Sequence, residues 1–133
     1  MVTNFKDVAF ECTEASDAGR ITFPDVVGKL IAAGVERYHA DLMRAERTYY
    51  MPSGESVVTP GHALAAMPAN EFSALGVEAA VRDIQAGKIQ YREFCARIAA
   101  VGCVGYIVTL AGRRAVYYGR TGETYVEPFP PPK

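Results

Sequence analysis

The chain has no tryptophan, and only two histidines and three cysteines in 133 residues. No cysteine forms a CxxC pair, and His39 and His62 are not spaced as HxxxH, so no compact metal motif is present. A metal site would have to be gathered from separate segments, and neither a metal nor another cofactor is expected. An odd number of loosely spaced cysteines also argues against a disulfide framework. Cys12, Cys95 and Cys103 read as reduced thiols of a cytoplasmic protein. Charge of one sign is lacking too: a net charge of −1 excludes the strongly basic surface that coats nucleic acid, so no nucleic-acid partner is expected. The apolar runs stop short of a membrane span, and the N-terminus lacks the charged-then-apolar order of a signal peptide; no membrane association is expected. Nothing matches GxxxxGK[ST], and Gly102 and Gly105 stand between a helix and a strand rather than ahead of a helix.

What is present is a half-apolar chain of a length suited to one domain over 1–133 with a sizeable core. Its clearest feature is an internal match at a spacing of 68 residues. Residues 18–60 align with 86–128 over 43 positions without a gap, and 13 positions are identical. Roughly three identities would arise by chance from ordinary composition. The matches include Tyr38/Tyr106, Leu42/Leu110, Tyr49/Tyr117, Tyr50/Tyr118, Gly34/Gly102, Gly54/Gly122 and Pro60/Pro128. One supersecondary unit used twice, each half needing the other to cover its apolar face, accounts for this.

Both copies read alike. Thr22 with Asp25 three positions on forms a capping box, and Pro24 suits the first helical turn. Val26, Val27, Leu30 and Ile31 make an apolar stripe, matched by Phe94, Cys95, Ile98 and Ala99. Gly34 and Gly102 stand where a left-handed helix C-terminus is expected. Alternation then places Tyr38, Ala40 and Leu42 on one strand face, the core side, and His39, Asp41 and Met43 on the other. A second strand at 48–51 or 116–119 leads through Pro52-Ser53-Gly54 or Arg120-Thr121-Gly122 into a third. Further helices are predicted over 5–14, capped by Asn4, and over 72–85, capped by Asn70, with Leu75, Val81 and Ile84 as the apolar face of the latter. Residues 60–69 read as a connector and 129–133 as an extended proline-rich tail. The expected fold is α+β: two pseudo-symmetric αα-βββ halves forming a mostly antiparallel sheet of about six strands, with helices on one side.

The stretch GCVGYIVTLAGRRAVYYGRTGETYVEPFP, together with GVERYHADLMRAERTYYMPSGES upstream, resembles a bacterial and prophage family of unknown function. Its members are described as phage envelope protein-like, or YbcV-like. The resemblance covers most of the chain and implies no established activity, cofactor or catalytic residue.

Among candidate functional groups, His39 and Asp41 lie two apart on one strand face, and Tyr49 or Tyr50 on the next strand could join them. A carboxylate beside an imidazole orients it for proton transfer; a solvated strand face is the plainer reading. The matched residues of the second copy are Ile107 and Thr109, so the halves differ chemically here. Cys95 falls in a helical stripe and Cys103 matches Val35, which points to packing. Arg44 and Arg47, like Arg113, Arg114 and Arg120, read as hairpin-tip charges that are either solvated or turned toward an acidic or phosphate-bearing partner. Residues 1–85 carry a net −5 and residues 86–133 a net +4.

The expected site is the crevice beside Tyr38, His39, Asp41 and Tyr50, where the halves meet. The favoured function is a non-enzymatic module binding a small molecule or a protein on the sheet face or in that crevice. The alternatives are a small enzyme using His39 and Asp41 as acid and base, and an oligomeric structural or regulatory protein associated with prophages, such as a homodimer.

Overall fold

Two helices and three strands occur in that order twice along the chain. In the computed structural model, which describes residues 4–129, the first set comprises α1 (Phe5–Asp17), α2 (Phe23–Ala32), β1 (Arg37–Asp41), β2 (Glu46–Tyr50) and β3 (Ser56–Pro60). The second comprises α3 (Ala74–Gln85), α4 (Tyr91–Ala100), β4 (Cys103–Thr109), β5 (Arg114–Gly119) and β6 (Thr124–Pro128). All six strands join one antiparallel sheet in the order β3-β2-β1-β4-β5-β6, so the first strands of the two sets are central neighbours. The α+β architecture expected from the sequence is the one observed. Of the predicted proline-rich tail, residues 130–133 lie outside the described region.

Strand parity separates two faces. The residues buried beneath the helices include Tyr38, Ala40, Arg47, Tyr49, Thr59, Tyr106, Val108, Ala115 and Tyr117. They meet Val8, Ala9 and Cys12 of α1, Val26 and Leu30 of α2, Val77, Ala80 and Val81 of α3, and Phe94 and Ile98 of α4 in one core. The tyrosine rings pack on one another across strands: Tyr38 and Tyr49 lie 5.1 Å apart, as do Tyr106 and Tyr117. The opposite face of the sheet carries no helix among the described residues.

Helix ends explain how each set turns into its strands. After α2, the Gly34 amide bonds the Ile31 carbonyl and the Val35 amide bonds Leu30, with Gly34 at φ +83. This paired closure needs a left-handed residue, which glycine adopts without strain. The hairpin glycines Gly54 and Gly122 are likewise left-handed, at φ +96 and +87.

Several local expectations are corrected. Thr22 does occupy the α2 N-cap position, but its hydroxyl donates to the Asp25 carboxylate (3.0 Å) instead of accepting from a backbone amide. α3 begins later than predicted, capped by Ser73, whose hydroxyl accepts from the Gly76 amide at 3.0 Å; Asn70 is not its cap. The cause is tertiary. Phe72 packs over Gly119 and the Ser73 amide bonds the Val101 carbonyl, which holds 71–73 out of the helix. Ile31 and Leu75, read as members of apolar stripes, are exposed, while Val81, expected on the apolar face of α3, is buried together with Val77 and Ala80.

Candidate functional site

The four residues singled out from sequence do not converge. Tyr38 is 2% exposed beneath the helices, whereas His39, Asp41 and Tyr50 lie on the open face. Asp41 is not the partner of His39. Its Oδ1 accepts from the amides of Met43 and Arg44, each at 3.1 Å, and shapes the β1–β2 turn. His39 Nε2 instead meets the Tyr118 hydroxyl at 2.6 Å, with the two rings tilted against each other. Tyr118 reaches it by crossing β4 at Gly105, which faces Asp41 in the register; a Cβ there would lie 2.4 Å from the phenol oxygen. Burial raises the Tyr118 pKa, so the phenol remains protonated and supplies no base. Tyr50 lies beneath the Arg37 guanidinium, 4.3 Å from its ring centre.

A different constellation forms on the helix side. Arg47 shares its strand face with Tyr49, and in the transverse row Thr59–Arg47–Ala40–Tyr106 its neighbour on β1 is a small alanine. That leaves room for the guanidinium, which is 4% exposed, to lie over the Tyr91 ring at 4.6 Å and near the Tyr38 ring at 5.3 Å. Its Nη1 donates to the Tyr49 hydroxyl at 3.2 Å. Tyr49 is tied to Thr13 of α1 at 2.7 Å, and Thr13 to Thr59 at 2.7 Å. Among the described residues no carboxylate forms an ion pair with Arg47. A guanidinium cannot shed its proton, so this is a buried cation balanced chiefly by aromatic faces and a phenol oxygen.

Arg47 borders a cleft of about 310 Å³ between α1, the β1–β2 turn, the segment 61–65 and the start of α4. Thr13, Asp17, His62, Tyr91, Arg92 and Cys95 share its wall, with the carboxylates of Asp41 and Glu46 beside the β1–β2 turn and of Glu93 in the first turn of α4 also bordering it. The volume falls at the small end of small-molecule sites. The first residues of α4 open onto the cleft without a side-chain cap: Gln90 holds the N-cap position but makes no capping bond. Its side chain lies against Gly19, where a Cβ would come within 2.5 Å of Oε1. The positive end of α4 therefore adds to the Arg47 field, opposed by the Glu93 carboxylate in its first turn. Burial raises the Asp17 carboxyl against the opposing pull of Arg47 and His62. Burial also pushes the Cys95 and Cys103 thiols up to about 11, which removes them as nucleophiles near neutral pH. Among the described residues no three His, Cys, Asp or Glu side chains come together as metal ligands.

Arg47, which the sequence pattern places at a turn tip, is instead buried beneath the helices. Parity held the signal: Arg47 lies two residues before Tyr49, and its match in the second copy, Ala115, is also buried.

Residues 67–128 match a family described as protein of unknown function (DUF1398). That segment runs from the end of the connector through β6 and so includes the Tyr91 and Cys95 side of the cleft, but not Arg47. Uncharacterized proteins of Mycobacterium tuberculosis and Mycobacterium bovis are each 32% identical to the chain over 111 residues. These alignments cover 80% of this chain and 66% of the relatives, which are therefore longer. No helix among the described residues is long and apolar enough to cross a membrane.

Proposed function

We propose that this protein is a non-enzymatic binding domain that holds a small anionic molecule, through its carboxylate or phosphate group, in the cleft beside Arg47. The observation that carries this reading is the buried Arg47 guanidinium, which borders a cleft and has no carboxylate paired to it. Removing a cation from water costs several kcal/mol unless a counter-charge is close, and an anion entering the cleft supplies one. The planar fork of arginine suits the two oxygens of a carboxylate or phosphate, and the start of α4 adds favourable dipoles. Binding is favoured over catalysis because the candidate groups are committed elsewhere. His39 is joined to Tyr118 on the far face, Asp41 holds a turn, and Cys95 is protonated.

The same reading takes the chain as one domain built from a duplicated unit. Left-handed residues support it, falling in pairs 68 apart: Gly19/Gly87, Gly34/Gly102, Ala45/Arg113 and Gly54/Gly122. A reducing, cytoplasmic setting is supported by three cysteines that remain free thiols, and a prophage association by the resemblance of residues 34–56 and 102–130.

The test is a thermal-shift and calorimetric screen of small carboxylates and phosphates against the wild type, Arg47→Met and Arg47→Lys. An anion that stabilises the wild type should bind Arg47→Met at least about tenfold more weakly, with Arg47→Lys intermediate. Circular dichroism would show that the variants remain folded. Equal affinity in Arg47→Met, or no response to any anion, would refute the proposal.

A further inference from the structure

The open face of the sheet is ordered in three transverse rows. The strand registers align Val58, Thr48, His39, Ile107, Val116 and Val126 as the middle row across all six strands. Val58, Ile107 and Val126 are 50%, 37% and 42% exposed, so the row presents aliphatic surface at β3, β4 and β6, interrupted by Thr48 and His39 on β2 and β1. On one side runs a row containing Arg37 and Arg114; on the other, a row containing Asp41 and Glu46. Arg37 is paired with Glu36 and Glu46 with Arg44, so Arg114 on one side and Asp41 on the other carry the charges of these rows that no ion pair among the described residues offsets.

We propose that this face binds a second copy of the chain, sheet against sheet, about a twofold axis running along the middle row. That operation lays each apolar row on its own image. It also sets the Arg37 and Arg114 row over the Asp41 and Glu46 row of the second copy, in both directions at once. A surface whose charges are opposite across a central apolar line is self-complementary under that one rotation, which an isologous dimer requires. Six strands and three rows span about 30 Å by 20 Å, on the order of the ~800 Å² that each partner buries in a standard interface. Packed sheets keep their strands near alignment, so the rows stay in register over most of the contact. Pairing through sheet edges is the less favoured mode. Both edge strands, β3 and β6, end in a proline, Pro60 and Pro128, which cannot donate to an added strand.

Sedimentation equilibrium on the full chain tests this, with Ile107→Lys and Val126→Lys on the face and Leu75→Lys on the outer surface of α3 as a control. The wild type should be dimeric at about 100 μM, and both face variants should dissociate at least about tenfold more readily. Leu75→Lys should behave as wild type, and added salt should weaken the dimer because the outer rows are charged. Thermal melts by circular dichroism keep loss of the dimer distinct from loss of the fold. A monomeric wild type overturns the proposal, as does a dimer that survives both folded face variants. The substituted residues, Ile107 and Val126, do not line the cleft, so these outcomes leave the Arg47 proposal to its own test.

Discussion

Asp17 and Arg47 show how single side chains set the character of the cleft. Burial raises the Asp17 carboxyl pKa more than the Arg47 and His62 charges lower it. A carboxyl that ionises less readily in the folded chain than in the unfolded one reduces stability wherever it must be charged. The penalty is absent below the ordinary value of 3.8, where both states are protonated. It grows as pH rises above that value and is complete above the folded pKa. Asp17→Asn should therefore raise the melting temperature at pH 7, with the gain shrinking to nothing as pH falls below 3.8. Melts of both proteins from pH 3 to pH 8 measure the difference. A lower melting temperature for Asp17→Asn at pH 7 would mean that the attraction of Arg47 and His62 outweighs burial. The same variant should bind anions more tightly, because one negative charge leaves the cleft wall.

At the level of elements, sequence periodicity located every helix and strand, and the errors fell where tertiary contacts overrule local preference. Asn70 looked like a cap because an apolar pattern follows it, yet Phe72 is drawn onto Gly119 and the helix waits for Ser73. The His39–Tyr118 contact was illegible for a related reason. It requires β1 to pair with β4 and Gly105 to vacate the space over that strand, and nothing local announces either condition. Gly102 shows the cost of such closeness. Gly102 and Gly54 have nearly the same φ, +94 and +96, but a Cβ at Gly102 would lie 2.1 Å from the Glu71 carbonyl oxygen, while one at Gly54 meets nothing within 4 Å. Gly54→Ala should cost about 1–2 kcal/mol, from the left-handed backbone alone. Gly102→Ala carries the same term plus displacement of the 71–73 backbone, so it should lose at least about 2 kcal/mol more. Urea titrations of the two variants compare them directly. Equal losses would show that the 71–73 segment yields without cost.

For the whole molecule, what matters is that neither set of five elements completes its own core. The central seam pairs β1 with β4 at five consecutive positions, from Arg37↔Thr109 to Asp41↔Gly105. Across it the Tyr38 and Tyr106 rings meet edge to face at 6.4 Å, and Arg47 of the first set lies over Tyr91 of the second, which bonds Tyr106 of its own set at 2.6 Å. The tyrosine layer is thus shared through ring contacts: opening the seam would take the Arg47 guanidinium off the Tyr91 ring and part the Tyr38 and Tyr106 rings. The difference in charge between residues 1–85 and 86–133 adds a weaker attraction between the sets. Unfolding should accordingly be a single transition, with backbone circular dichroism and tyrosine fluorescence tracing the same urea curve. Arg47→Met should shift that curve without splitting it, because the seam's hydrogen bonds and ring contacts remain. Two resolved transitions in the wild type would show the sets to be separate folding units and would remove the physical reason for placing a binding cleft between them.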